Sequence, residues 1–200
     1  MPGIRRGPPA SGKRMNEEKT LPKRKPTRLK GFDYSTAGAY FVTICTRERK
    51  QILSDIIRIP STSAQNTSES VVGEGLAPPE YAVQLKPCGK IVQEQLQSIQ
   101  TRFPSVSVED YVIMPDHIHA IIFLHRNAGG ASPSPTLNDV VCALKSLTSR
   151  SCKQRYGIEN IFQRSYIDHI IRDREDYETR RKYIYENPTR WMFDPLYTKE

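Results

Sequence analysis

The sequence has no apolar run long enough to cross a bilayer, since its strongest apolar stretch is the short segment Ala120 to Leu124. A membrane-spanning helix needs about 20 predominantly apolar residues. The N-terminus is basic but lacks the apolar segment of a secretory signal. From these two absences we expect no secretory signal and no membrane-spanning helix, and hence a cytoplasmic protein that has no membrane partner.

Cysteine is also scarce, because the chain has four cysteines and none forms a C-x-x-C pair. Pairs of that spacing close zinc sites and redox couples. The scattered positions of Cys45, Cys88, Cys142 and Cys152 therefore predict ordinary reduced thiols.

The net charge of +8 comes from the first 30 residues, which hold ten Lys or Arg residues and two Glu residues. The remaining 170 residues carry 20 basic and 20 acidic groups. A tail of this kind can track phosphates by counterion release, or it can be a solvated lead-in. We expect a disordered basic tail at 1–27, one folded domain at 28–192 with polar loop insertions at 60–79 and 129–135, and a C-terminal tail at 193–200.

Strand-like and helix-like segments alternate within the folded domain. Periodicity and composition predict strands at 39–46, 106–114, 117–124 and 163–171, and helices at 89–103, 137–155 and 174–187. We expect the last helix to end against Pro188, because the residue before a proline disfavours helical geometry. The order of these elements predicts an α+β fold, a ferredoxin-like antiparallel sheet with helices on one face and a further C-terminal helix.

The sequence His117-Ile118-His119 lies on one of these predicted strands. Successive strand side chains point to opposite faces, so the two imidazoles share a face, with their Cα atoms roughly 6 to 7 Å apart. They can converge on one divalent ion. Two exposed strand histidines that bind no metal have the same spacing, so the pair alone leaves both interpretations open.

The predicted C-terminal helix offers a nucleophile. Tyr183 and Asn187 are four residues apart and share a helix face, whereas Tyr185 points away from it. A phenol with an ordinary pKa of about 10 is a weak nucleophile, and nearby cations favour its phenolate form. The local cations are Arg180, Arg181 and Lys182. A core tyrosine on an amphipathic helix is the alternative.

Several segments of the sequence, in the same order, resemble the IS200-type transposases, and more narrowly the branch associated with repetitive extragenic palindromes. The resemblance covers about residues 28 to 191. The segments are RLKGFDY at 28–34, GAYFVTICT at 38–46, VIMPDHIH at 112–119, KSLT at 145–148, FQRSYIDHIIR at 162–172 and YIYENP at 183–188.

The resemblance implies roles for the residues that match the family's motifs. His117 and His119 match two metal ligands, and Tyr183 matches the single nucleophilic tyrosine of the terminal helix. Asn187 stands where IS200 enzymes have a glutamine that completes the metal site.

The third ligand is left open by the resemblance, because an asparagine side chain is one methylene shorter than that glutamine. Asp116 and His169 are alternative ligands. His169 also fits a hydrogen-bonded histidine within the sheet, and this is the interpretation that we favour.

The resemblance further implies a metal-dependent single-strand DNA endonuclease and strand transferase that uses Mg²⁺ or Mn²⁺ and forms a 5′-phosphotyrosine. Its substrate would be hairpin or palindromic repeat DNA, and it would act as a monomer or a homodimer. The phosphate track would include Lys145, Arg150 and Lys153 together with the basic residues at 180–182. The alternatives are a non-catalytic DNA-binding protein of repetitive palindromes and a metal-dependent nuclease that uses water.

Overall fold

The computed structural model describes residues 31, 33–59, 80–126 and 135–193. The tail expected at 1–27 and the loop expected at 60–79 lie outside the described residues. All but Pro135 of the loop expected at 129–135, and all but Phe193 of the tail expected at 193–200, lie outside them as well.

Six strands and four helices are formed by the described residues. The strands are β1 (Gly38–Cys45), β2 (Ser54–Arg58), β3 (Tyr81–Leu85), β4 (Val106–Ile113), β5 (His117–Leu124) and β6 (Ile167–Ile171). The helices are α1 (Pro87–Gln97), α2 (Ile99–Arg102), α3 (Leu137–Tyr156) and α4 (Arg174–Phe193), with a short 3-10 turn at Arg47–Arg49. Among these helices, none is long and apolar enough to span a membrane.

The main sheet has the strand order β4-β5-β1-β6, and each neighbouring pair is antiparallel. The strands β2 and β3 pair separately as an antiparallel ribbon. The expected α+β fold with a ferredoxin-like antiparallel sheet is therefore confirmed.

Strand alternation assigns the side chains of β5 to two separate cores. Ile118 and Ile122 belong to the larger core, which contains the buried residues of α1 and α3. Ile121 belongs to a smaller core that contains Ile184 and Trp191 of α4. Because successive strand residues point to opposite faces, His117 and His119 lie on the same face as Ile121. The sheet thus has α1 and α3 on one face and α4 on the other, and the histidines face α4.

The helix α4 continues past Pro188 to Phe193, so the expectation that it ends against this proline was wrong. A proline inside a helix donates no hydrogen bond, which leaves the carbonyl four residues earlier, that of Ile184, without its usual partner. Ile184, Pro188 and Trp191 are all buried. We attribute the continuation of the helix to this packing, which a sequence-based rule for proline does not take into account.

Two further expectations differ from the structure. The strand expected at 163–171 forms a ladder only from Ile167 onward, because residues before it cross the end of the sheet, where Gln163 donates its backbone N–H to the carbonyl of Cys45. The ribbon of β2 and β3 was not predicted. The strand sequences SDIIR and YAVQL do not alternate regularly between apolar and polar residues, and this alternation is the pattern that predicts a half-buried strand.

Candidate active site

A cavity of about 650 Å³ opens between the α4 face of the sheet and α4. The residues that line it come from β1, β5, β6, α4 and two connecting segments. They are Thr43, Cys45, Arg49, His117, His119, Gln163, Ile167, Tyr183, Asn187, Arg190 and Trp191. The cavity therefore joins the histidine pair of β5 to the tyrosine of α4, although these lie more than 60 residues apart in the sequence.

The two imidazoles lie against each other, with ring centroids 4.5 Å apart and an interplanar angle of 73°. Each Nδ1 atom has a partner within the protein. Nδ1 of His117 lies 2.6 Å from Oδ1 of Asp116, and Nδ1 of His119 lies 2.9 Å from Oγ1 of Thr43. Nε2 is consequently the nitrogen that each ring can offer to a metal ion in the cavity.

Burial is the main factor that lowers the pKa of His119, to about 2, and the charges of His117 and Arg49 add to the effect. The His119 ring is therefore neutral at physiological pH. A neutral imidazole is the form that binds metal ions.

The ring of Tyr183 lies beside the histidines. Its centroid is 5.1 Å from that of His119, and the Phe41 ring lies 5.1 Å from His119 and 6.0 Å from Tyr183, so the three rings form one cluster. The guanidinium carbon of Arg190 lies 5.6 Å from the centroid of the Tyr183 ring. Tyr185, two residues along the helix, does not line the cavity.

Asn187 is 6% exposed and lines the cavity one helical turn after Tyr183. Within the described ranges, no group of three or more His, Cys, Asp or Glu residues is arranged to hold a metal ion. An ion held by the two imidazoles would therefore take any further protein ligand from another residue type, and the side-chain amide of Asn187 is in the cavity wall.

The two alternative third ligands have other partners. Oδ1 of Asp116 is hydrogen-bonded to Nδ1 of His117, and Nε2 of His169 lies 2.7 Å from Oδ2 of Asp176. His169 also lies 3.4 Å from Nη2 of Arg180 and does not line the cavity. His169 is thus a hydrogen-bonded histidine of the sheet, which is the interpretation favoured from the sequence.

Arg49 is a cavity residue that the sequence analysis did not single out. Its Nε lies 3.0 Å from Oδ2 of Asp116, and Asp116 is 1% exposed. Glu48 and Arg49 both have left-handed backbone conformations, with φ of 58° and 57°. Non-glycine residues rarely adopt this conformation, so no sequence pattern signals it.

The basic run at 180–182, expected to line the phosphate track, is paired with acidic groups outside the cavity. Arg180 lies 3.2 Å from Asp176, Arg181 lies 3.5 Å from Asp110, and Lys182 lies 3.7 Å from Glu186. Tyr177 of the same helix donates a hydrogen bond to Asp110 at 3.0 Å. The two contacts with Asp110 join α4 to β4 of the sheet. None of the three basic residues lines the cavity.

The basic residues expected on α3 also lie outside the cavity, because α3 packs on the opposite face of the sheet. Lys145 donates two hydrogen bonds, at 2.7 and 2.8 Å, to the carbonyls of Gln163 and Arg164. Lys153 lies 2.7 Å from Glu159, and Arg150 is exposed. The arginines that do line the cavity are Arg49 and Arg190.

Comparison with known proteins gives the class to which this fold and cavity belong. The model of the family described as "Transposase IS200 like" matches residues 80–187, which is more than half of the chain. The chain therefore belongs to the IS200-like transposase family.

Two curated relatives come from Haemophilus influenzae. One, described as an uncharacterized protein, is 28% identical over 189 residues, which are 87% of this chain and 93% of that protein. The other, provisionally named a REP-associated tyrosine transposase, is 24% identical over 169 residues, which are 79% of this chain and 74% of that protein. That name agrees with the branch expected from the sequence.

A solved structure with a similar fold is that of a REP-associated tyrosine transposase bound to a REP hairpin. It has a TM-score of 0.50 and 20% sequence identity, and the match covers 82% of this chain and 73% of that one. At this identity the likeness shows the shared fold.

Proposed function

We propose that this transposase cleaves and rejoins single-stranded DNA with Tyr183 as its nucleophile. The observation that carries the proposal is that Tyr183, His117, His119 and Asn187 line the same cavity. Two imidazoles and an amide can hold a divalent ion beside the tyrosine, and an ion so placed would assist attack of the phenol oxygen on a phosphodiester. Because one chain supplies all four residues, we also propose that cleavage needs a single copy of the protein.

The residues of the cavity fit a divalent cation, Mg²⁺ or Mn²⁺. Nε2 of His117, Nε2 of His119 and the side-chain oxygen of Asn187 would hold it. When bound, the ion would neutralise charge on a non-bridging phosphate oxygen. The hydrogen bond from Nδ1 of His117 to Asp116, and the one between Nδ1 of His119 and Thr43, would keep both rings turned toward the cavity.

Tyr183 would attack the phosphorus in line with the leaving 3′ oxygen. The bond from phosphorus to the 3′ oxygen breaks, the bond from phosphorus to the Tyr183 oxygen forms, and the 3′ oxygen leaves as a hydroxyl. In the reverse direction a 3′ hydroxyl attacks the phosphotyrosine and releases Tyr183. The covalent link conserves the energy of the phosphodiester, so rejoining needs no other energy source.

We propose a single-stranded or hairpin substrate, which is supported by the printed description of the similar structure as bound to a REP hairpin. The phosphate at the site of cleavage would contact Arg190, the cation over the Tyr183 ring. Of the six basic residues expected to track the DNA, the exposed Arg150 is the candidate for a more distant phosphate, since the other five have partners within the protein.

A covalent-trapping experiment tests this proposal. The protein is incubated with Mn²⁺ and a 3′-labelled single-stranded DNA hairpin that has unpaired flanks, and the products are separated under denaturing conditions. We expect a labelled protein adduct that Tyr183→Phe abolishes and the matched variant Tyr185→Phe retains. Cleavage without an adduct would indicate a hydrolytic nuclease, and binding without cleavage would indicate a non-catalytic DNA-binding protein.

A further inference from the structure

Asp116 is a fully buried carboxylate that touches the candidate metal site without lining the cavity. It is 1% exposed, and its two oxygens have different partners. Oδ1 lies 2.6 Å from Nδ1 of His117, and Oδ2 lies 3.0 Å from Nε of Arg49. The three side chains therefore form a continuous chain from arginine to carboxylate to imidazole.

The backbone around Asp116 holds this arrangement in place. The carbonyl of Asp116 accepts hydrogen bonds from the backbone N–H of Thr46 and from its Oγ1, at 2.8 and 2.9 Å. On the other side, Arg49 has a φ of 57°, a conformation that costs a non-glycine residue free energy. Arg49 also lies 2.9 Å from Sγ of Cys45. Thr46 thus holds the backbone of Asp116, and Arg49 holds its carboxylate.

The two histidines of the pair differ in the chemistry of their partners. A carboxylate only accepts hydrogen bonds, so Nδ1 of His117 must carry the proton and Nε2 must carry the lone pair. A hydroxyl both donates and accepts, so Thr43 leaves either tautomer open to His119. The partner therefore selects the metal-binding tautomer for His117 alone.

We propose that Asp116, anchored by Arg49, is a positioning residue that fixes His117 as the Nδ1-protonated tautomer and presents its Nε2 lone pair to the cavity. The metal-binding part of this inference rests on the proposed function. A carboxylate behind a metal-binding histidine fixes the orientation of the ring and raises its basicity, and loss of such a partner typically weakens metal binding by about 10- to 100-fold.

The chain contains a matched control for this arrangement. In the group formed by His169, Asp176 and Arg180, a carboxylate again lies between an imidazole and a guanidinium, 2.7 Å from Nε2 of His169 and 3.2 Å from Nε of Arg180. None of the three lines the cavity. The same substitution can thus be made in a triad that touches the histidine pair and in one that does not.

The first measurement is the affinity for Mn²⁺ alone, by titration calorimetry, of the wild-type protein, Asp116→Asn and Asp176→Asn. We expect the dissociation constant to rise by about 10- to 100-fold in Asp116→Asn and to change by less than about twofold in Asp176→Asn. A second variant, Arg49→Met, removes the anchor and keeps Asp116. We expect its dissociation constant for Mn²⁺ to rise as well, by less than in Asp116→Asn. Thermal unfolding of each variant identifies any loss of the fold.

The second measurement uses no metal and so separates this inference from the proposed function. The ¹⁵N resonances of the imidazoles are recorded above pH 8 in metal-free protein. We expect His117 to have a protonated Nδ1 and an unprotonated Nε2 in the wild type, and a mixture of tautomers in Asp116→Asn. An unchanged tautomer in Asp116→Asn would overturn the positioning role. Failure of the wild type to bind Mn²⁺ would overturn the metal site, while the resonances would still decide whether Asp116 sets the tautomer.

Discussion

Arg190 is expected to stabilise the negative charge that develops around Tyr183 during strand cleavage. Its guanidinium carbon lies 5.6 Å from the centroid of the Tyr183 ring. Two unit charges at this distance interact by about 3 kcal/mol at an effective dielectric constant of roughly 20. The Arg190 side chain is 60% exposed, so solvent screening reduces this figure. We take roughly half, about 1.4 kcal/mol, which corresponds to about a tenfold change in rate.

The perturbation is Arg190→Gln, which removes the charge and retains a polar, shorter side chain. We expect the covalent adduct with a labelled hairpin to form about ten times more slowly at saturating DNA. Lys182→Gln is the matched control, because Lys182 and Arg190 both pair with Glu186, at 3.7 and 2.7 Å, and only Arg190 lines the cavity. We expect the control to react within about twofold of the wild-type rate.

The assay is a single-turnover time course of adduct formation, with hairpin affinity measured separately. An Arg190→Gln protein that reacts at the wild-type rate would refute the argument. Equal losses in the Arg190 and Lys182 variants would also refute it, because they would show a general effect of charge on DNA binding. A decrease in affinity with an unchanged rate at saturation would assign Arg190 to binding alone.

Two further predictions concern stability. Lys145→Met should lower the free energy of unfolding in urea by about 2 kcal/mol, because it removes two charge-assisted hydrogen bonds to backbone carbonyls, whereas the exposed Arg150→Met should leave it unchanged. Asp139→Ala should lower it by about 0.5 kcal/mol at pH 7, since Asp139 closes the capping box at the start of α3. The hydrogen bonds from Thr136 lower the pKa of Asp139 below 3.8. The difference in unfolding free energy between the wild type and Asp139→Ala should therefore persist above pH 3.8 and disappear as the pH falls through the lowered pKa. Equal unfolding free energies for Lys145→Met and Arg150→Met, or a pH-independent effect of Asp139→Ala, would contradict the respective argument.

Local patterns in the sequence were sufficient to predict most of the fold. The β-branched run of β1 and the alternation that places His117 and His119 on one face are properties of neighbouring residues. The expected bounds of β5 agree with those of the structure. The spacing of Tyr183 and Asn187 likewise follows from helical geometry alone, and both residues line the cavity.

The remaining features of the cavity depend on tertiary contacts. Arg190 and Trp191 follow Tyr183 by seven and eight residues, so they lie on the same helix face, but this is visible only if the helix is known to continue past Pro188. Arg49 reaches the site through a left-handed backbone that its residue type does not favour. The DNA contacts expected for Lys145, Arg150, Lys153 and the basic residues at 180–182 stay predictions. The pairing of Lys145, Lys153 and the run at 180–182 with carboxylates and carbonyls of the protein could not be predicted, because a sequence does not show which groups meet in the fold.

The residue that becomes covalently attached to DNA identifies the nucleophile most directly. The adduct formed by the wild-type protein with a 3′-labelled hairpin and Mn²⁺ is digested with nuclease and protease, and the nucleotide-bearing peptide is identified by mass spectrometry. We predict a single modified residue, Tyr183, linked through a 5′ phosphate. A nucleotide on Tyr185 or on any other residue, or cleaved DNA with no modified peptide, would contradict the account.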